Sequence, residues 1–254
     1  MLGIIGVGAI GGSIGLRARR NRLSVAGYDC DPAALDDARR AGAIDTVATH
    51  DELLHTCETV VIAAHLEATL AEIAGLYKLQ DPAPALIIDV ASVKVPVATA
   101  AARLRNFVAT HPMAGSERGG MQGARADLFQ GRPWAYVPTG DAQLDARASD
   151  FIALLGGLPL GMSADAHDRI VAITSHVPQV VAYRFARLLR ESDRDAERLC
   201  GPVARELLRI ASMNPEMWRE IFAANSTNIE RELRRLSAEL TAAADELAAI
   251  GVRD

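Results

Sequence analysis

Apolar runs of strand length and Ala/Leu/Arg-rich segments of helical length alternate through the first two thirds of the chain. Residues 2–6, 24–28, 59–64, 86–90, 107–109 and 134–137 are the apolar runs, and they read as strands. Between them, residues 13–21, 32–41 and 66–77 have the spacing of amphipathic helices. Regular strand–helix alternation predicts an α/β fold with a doubly wound, Rossmann-type parallel sheet. From about residue 164 the strand signal stops, and long Ala/Leu/Arg/Glu segments follow, interrupted only by Pro178, Pro202 and Pro215. The pattern therefore predicts a nucleotide-binding type of domain over residues 1–163 and an all-helical domain over 164–254.

The last helical segment carries a seam. Ile229, Leu233, Leu236, Leu240, Ala243, Leu247 and Ile250 recur at spacings of 4, 3, 4, 3, 4 and 3, which is a heptad. Such a seam packs either on its own domain or against a partner helix. Seven apolar positions are many for a small helical domain to cover alone, so a homodimer through the C-terminal helices is expected.

Composition narrows the function. Half of the residues are hydrophobic, 23% are charged and the net charge is −5, a globular balance that repels a phosphate backbone on average. No Lys/Arg cluster with interleaved aromatics appears, so nucleic acid is not an expected partner. The longest nearly uncharged stretch, residues 152–164, is broken by Gly156, Gly157 and Pro159 and falls short of the ~18 to 20 apolar residues of a membrane span. The start of the chain, Met1-Leu2-Gly3-Ile4-Ile5, lacks the basic region and cleavage site of a leader, which gives a cytoplasmic expectation with no membrane partner. Cys30, Cys57 and Cys200 are widely spaced with no CxxC, so reduced thiols are expected, with no metal site.

Gly6-Val7-Gly8-Ala9-Ile10-Gly11 follows the first strand and opens a helix, the context in which GxGxxG is a dinucleotide fingerprint. Gly6 permits the tight turn, Gly8 the approach of a pyrophosphate, and Gly11 the close packing of helix on strand, while Ala9 and Ile10 place the helix N-terminus against the negative charge. Asp29 lies 18 residues after Gly11, near the ~20 expected for a carboxylate on the adenosine ribose. It repels a 2′-phosphate, and the following Cys30, Asp31 and Pro32 offer no cation to offset that, so NAD is expected over NADP. Asp31 reads as the cap of the next helix, with Pro32 at its first position.

Catalytic groups in such folds come from the carboxyl ends of later strands. Two segments qualify: Asp89-Val90-Ala91-Ser92-Val93-Lys94, and the run from Thr110-His111-Pro112-Met113-Ala114-Gly115-Ser116 to Gly120. His111 stands where a general base is needed, with Ser92 placed to hydrogen-bond it or the reacting hydroxyl. Pro178 removes the N–H that would bond the Thr174 carbonyl, so a kink is expected beside His176. His167-Asp168, where the helical domain begins, reads as a structural hydrogen-bonding pair.

The fingerprint from Gly6, the Asp89–Lys94 segment, the His111–Gly120 run, His167-Asp168, Ser175-His176-Val177-Pro178-Gln179, and Arg209-Ile210-Ala211 through Met217-Trp218, taken in order, resemble the prephenate and arogenate dehydrogenases of tyrosine biosynthesis. The resemblance implies a nucleotide-binding domain followed by a helical dimerisation domain, and NAD-dependent oxidative decarboxylation of prephenate or arogenate. It implies that His111 is the catalytic histidine with Ser92 its hydroxyl partner, that Ser116 approaches substrate, and that Arg209 holds a substrate carboxylate. His176 and Gln179 resemble pocket-lining helix residues, and Trp218 an aromatic near them. The chain departs from the family at Ala63-Ala64-His65-Leu66, where a proline is common after the fourth strand, and at Leu208, where a threonine is common; Glu206 matches the acidic residue before that segment. Gln179 is neutral where some prephenate-preferring members carry a second histidine, which points toward arogenate or dual use. At 254 residues, no added chorismate mutase or ACT domain is expected. Two other readings share the fold: another NAD-linked hydroxy-acid dehydrogenase using a lysine base, for which Lys94 is the candidate, and a non-catalytic NAD-sensing dimer.

Overall fold

The computed structural model describes residues 1–79, 84–116, 118–193 and 195–251, and separates into two units, Met1–His167 and Asp168 onward. The division lies inside the helix whose first residue, Ala164, opens the helical part of the sequence pattern.

In the first unit, β1 (Leu2–Ile5), α1 (Ala9–Arg20), β2 (Val25–Tyr28), α2 (Pro32–Arg40), β3 (Thr46–Val47), α3 (His50–Thr56), β4 (Thr59–Ile62), α4 (Leu66–Leu76), β5 (Leu86–Asp89), α5 (Val95–Ala100) and β6 (Phe107–Val108) follow in order. The strands form a six-stranded sheet ordered β3-β2-β1-β4-β5-β6 in which every described pairing is parallel. Because helices cover both faces, β1 and β5 are buried along their whole length, as their unbroken apolar runs require. The order reverses between β1 and β4, which opens a crevice beyond the carboxyl ends of those strands. Asp31 does cap α2, its carboxylate accepting from Ala33 N at 2.9 Å with Pro32 in the first turn.

The chain then leaves this sheet. β7 (Thr110–Pro112), β8 (Pro133–Tyr136), α6 (Ala142–Leu154) and β9 (Leu158–Gly161) build a second, three-stranded sheet, antiparallel between β7 and β8 and parallel between β8 and β9. The apolar run at 134–137 is thus not a further strand of the parallel sheet. Trp134 is nevertheless fully buried, packed on Phe129 with ring centroids 4.8 Å apart.

The second unit is helical. α7 (Ala164–Val171) runs through a single wide π turn, Ala172–His176, into α8 (Val177–Glu191), followed by α9 (Pro202–Ala211), α10 (Pro215–Ala224) and α11 (Ser226–Gly251). Pro202 and Pro215 sit in first turns, where a missing N–H costs no helical hydrogen bond, while Pro178 follows the π turn directly inside a continuous helical run. The irregularity expected from Pro178 takes the form of the π turn. Ile229, Leu233 and Leu236 of α11 pack with Ala172, Val177 and Phe222 to form this unit's core. The rest of the seam is solvent-facing, with Leu240, Leu247 and Ile250 61%, 68% and 66% exposed. No helix among the described residues is long and apolar enough to cross a membrane.

Candidate active site

The turn after β1 can be built only with glycine at two of its three fingerprint positions. Gly6 has φ +90°, and a Cβ there would lie 2.4 Å from the Ala63 carbonyl oxygen. A Cβ on Gly11 would lie 1.9 Å from the Gly6 carbonyl oxygen, so α1 packs directly on the turn. Gly8 is different, because nothing lies within 4 Å of a Cβ built there. It is the N-cap of α1, makes no side-chain cap bond, and leaves open space in front of the amides of the first turn, where Ala9 and Ile10 sit. Asp29, just beyond β2, turns its carboxylate back over this turn, accepting from Val7 N at 2.9 Å and from Asp31 N at 3.0 Å. One donor on each oxygen leaves lone pairs for the vicinal hydroxyls of a ribose. Bare backbone at Gly8, the helix terminus and the carboxylate at the next strand end together fit a dinucleotide.

The ends of β5 and β7 are joined by a buried polar network. Asp89 closes β5; one carboxylate oxygen accepts from Ala91 N at 2.8 Å and from Lys94 Nζ, the other from Thr110 N at 2.9 Å. Lys94 Nζ also donates to the Thr110 carbonyl at 2.6 Å. The Thr110 hydroxyl donates to the Asp89 carbonyl and accepts from Trp134 Nε1, the latter at 2.9 Å. Asp89, Lys94, Thr110 and Trp134 are all wholly buried. Such groups are tolerable in a core only when paired. Lys94 Nζ is therefore held inside the core by a carboxylate and a carbonyl, the arrangement of a buried ion pair.

This network holds the backbone on either side of the two candidate catalytic residues. Ser92 is half-buried in the loop between Asp89 and Lys94, and His111 is half-buried in β7, next to Thr110 and in register with Ala135. His111 Nδ1 meets His167 Nε2 at 2.9 Å, and the rings lie edge to face with centroids 5.1 Å apart. His167 is 1% exposed. This partner lies 56 residues away: the sequence reads His167-Asp168 as a structural hydrogen-bonding pair and as one of the segments that carry the family resemblance, but nothing local in it points to a contact with His111. Ser116 follows β7 and accepts from Arg118 N at 3.3 Å, so its hydroxyl also shapes the loop; Glu117 of the same run lies outside the described residues.

The second unit holds the other candidates. His176 closes the π turn, buried, with Nδ1 facing Asn225 Nδ2 at 3.1 Å; Asn225 Nδ2 also donates to the Asp168 carbonyl at 2.8 Å. An amide nitrogen only donates, so His176 Nδ1 is the acceptor. Trp218 lies edge-on to His176 with centroids 6.0 Å apart, and its Nε1 is buried with no hydrogen-bond partner in the structure. Gln179 uses Nε2 on the Ile210 carbonyl at 2.8 Å, which ties α8 to α9. Arg209 presents its fork to Glu206, with Nε 2.8 Å from Oε2 and a second bond to Oε1. Those bonds hold the Glu206 carboxyl below its usual range. A carboxylate ligand of Arg209 has to share or displace Glu206. Among the described residues no group of three or more His, Cys, Asp or Glu side chains is arranged to hold a metal ion.

Comparison with known proteins covers both units. The family model described as prephenate dehydrogenase, nucleotide-binding domain, matches residues 14–157, and that described as prephenate dehydrogenase, dimerization domain, matches 163–250. The first match begins after the glycine fingerprint, so the two observations are independent. A probable prephenate dehydrogenase of Streptomyces niveus is 33% identical over 99% of this chain and 70% of its own length. A cyclohexadienyl dehydrogenase of Zymomonas mobilis is 31% identical over 94% of this chain and 85% of its own. The fold is shared with the crystal structure of prephenate dehydrogenase from A. aeolicus in complex with hydroxyphenyl propionate and NAD+, at TM-score 0.89 and 24% identity over 99% of this chain and 92% of that one.

Proposed function

The chain belongs to the prephenate dehydrogenase family, and from that premise we propose that it carries out NAD-dependent oxidative decarboxylation of prephenate, arogenate or both, giving 4-hydroxyphenylpyruvate or tyrosine. The observation that carries the chemical part is the placement of His111 on a backbone clamped by the buried Asp89, Lys94 and Thr110 network.

The substrate is a cyclohexadienol with a hydroxyl and a hydrogen on C4 and a carboxylate on C1. NAD, when bound along Gly6, Gly8, Ala9, Ile10, Gly11 and Asp29, supplies the acceptor for the hydride that leaves C4. His111 takes the hydroxyl proton at Nε2 as C4 becomes a carbonyl carbon. The bond from C1 to its carboxylate then breaks, its electron pair moves through the ring to the C4 oxygen, and CO2 leaves. His111 returns its proton to that oxygen, giving the phenol. Aromatisation supplies the driving force, so the protein's work is to position the ring and move one proton. Ser92 orients the hydroxyl or the imidazole, and Arg209 binds a substrate carboxylate through its planar fork. Ser116, His176, Gln179 and Trp218 keep, as part of this proposal, the substrate-facing roles that the family resemblance implies. The exposed half of α11 supports a homodimer through the C-terminal helices.

The test is absorbance at 340 nm with prephenate and with arogenate, using NAD and NADP in turn. Turnover with neither substrate overturns the reaction. His111→Asn should lower kcat by about 10²- to 10⁴-fold while NAD binding is unchanged, and wild-type turnover in that variant would remove His111 as the base.

A further inference from the structure

We propose that His167 is a positioning residue for the reaction: it accepts the Nδ1–H of His111, fixes the tautomer in which Nε2 carries the lone pair that takes the substrate proton, and supports the charge that His111 then carries. The inference rests on the assignment of His111 as base. It goes beyond that assignment by naming the group that makes the histidine basic at the correct nitrogen.

The argument is a proton count. Two ring nitrogens 2.9 Å apart share one hydrogen; two would collide and none would leave both lone pairs opposed. A neutral imidazole carries one N–H. If His111 is to accept at Nε2, its hydrogen lies on Nδ1, so the facing His167 Nε2 must be the acceptor and His167 carries its own hydrogen on Nδ1. The opposite arrangement, with His167 donating, would put the hydrogen of His111 on Nε2 and block it as a base.

When His111 gains the second proton, its Nδ1–H becomes a cationic donor to the same acceptor. Charge-assisted bonds of this kind are about twice as strong as neutral ones. The contact is therefore stronger in the charged state than in the resting state, which is the condition for it to assist the chemical step and not only binding. A carboxylate in this position would favour the imidazolium even at rest. A neutral histidine fixes the tautomer without that bias. His167 is 1% exposed, so water does not compete for the nitrogen.

The test compares His167→Phe, which keeps a ring and removes the acceptor, with His167→Gln, whose amide oxygen can accept the same hydrogen. In His167→Phe, kcat is expected to fall about 10- to 100-fold with both KM values within about twofold, and His167→Gln to recover most of the loss. Independently of activity, two-bond nitrogen–proton correlation spectra of the labelled wild-type protein read the tautomer directly, and six histidines make assignment by single substitution practical. A His111 protonated on Nδ1 and unprotonated on Nε2 supports the proposal. A wild-type His111 protonated on Nε2 overturns it, as does a folded His167→Phe with wild-type kcat. Should His167→Phe fail to fold, the wild-type spectrum and His167→Gln still decide. If His111→Asn were fully active, the base assignment itself would fall; if that variant is inactive while His167→Phe is normal, only the role of His167 falls.

Discussion

Replacing Lys94 with Met separates two views of this lysine, as the base of a hydroxy-acid dehydrogenase or as one half of a buried ion pair. Methionine roughly preserves the volume of the stem and removes the ammonium. Asp89 then loses its charged partner in a site with no solvent access, and the Thr110 carbonyl loses a donor at 2.6 Å. Breaking a buried pair from one side costs about 3–5 kcal/mol. Asp89 keeps the amides of Ala91 and Thr110, which places the expected loss at the low end, about 3 kcal/mol. At about 2–4 °C per kcal/mol for a domain of this size, the melting temperature should fall by about 6–12 °C. Calorimetry or circular dichroism measures it. Combining Lys94→Met with Asp89→Asn should cost less than the sum of the single changes, because the second removes the charge that the first orphaned. A lysine base predicts the reverse, an inactive enzyme of normal stability. A Lys94→Met protein melting within about 2 °C of wild type would refute the ion-pair account.

The fingerprint glycines should part company: Gly8→Ala keeps the wild-type melting temperature but weakens NAD binding by calorimetric titration, whereas Gly11→Ala, with a Cβ 1.9 Å from backbone oxygen, destabilises the first unit by at least about 1–3 kcal/mol. Asp29→Ser should narrow a preference for NAD over NADP measured as kcat/KM, and equal values in the wild type would remove Asp29 as the discriminator. Leu240→Glu with Leu247→Glu should yield a folded monomer by light scattering, since both side chains are exposed within one chain; an unchanged mass would show the seam to be a solvated face. Of the three thiols, Cys30 should react first with a thiol reagent at neutral pH, because burial pushes the Cys57 thiol up and Cys200 is also buried.

The parallel sheet was legible because its central strands are buried on both sides and so write continuous apolar runs; β1, β4 and β5 are read almost residue for residue. Strands that bury little write no such signal. β3 is two exposed residues, and β9 is exposed throughout and contains Pro159, so neither shows a run to find. The run around Trp134 was visible, but its sheet was not, since direction and partner are decided by pairing with β7 and not by local hydrophobicity. The same limit applied to the candidate site. Gly6, Gly8, Gly11 and Asp29 lie close in sequence and carry their geometry in their spacing. His111 and His167 meet only through the tertiary fold. The heptad in α11 identified an apolar stripe without revealing that its first three positions are covered within the unit and its later leucines are not.

The π turn at Ala172–His176 sets the phase of everything after it. Buried pairs fall at 167/168 and 171/172, four residues apart, and then at 176/177, five residues on. The extra residue keeps one side of a long rod facing inward where an unbroken α-helix would have begun to drift, and Gln179, Ala182 and Ala186 inherit that alignment. Point substitutions here act locally, but the winding of the turn does not. Closing the wide turn without removing a residue would rotate the whole of α8 by about 100° relative to α7, carrying His176 and Gln179 off their partners together, whereas losing one residue along with the wide turn leaves the phase of α8 nearly unchanged. This segment thus behaves like a reading frame written in angle: the extra residue and the wide turn compensate each other, and neither can be lost without the other.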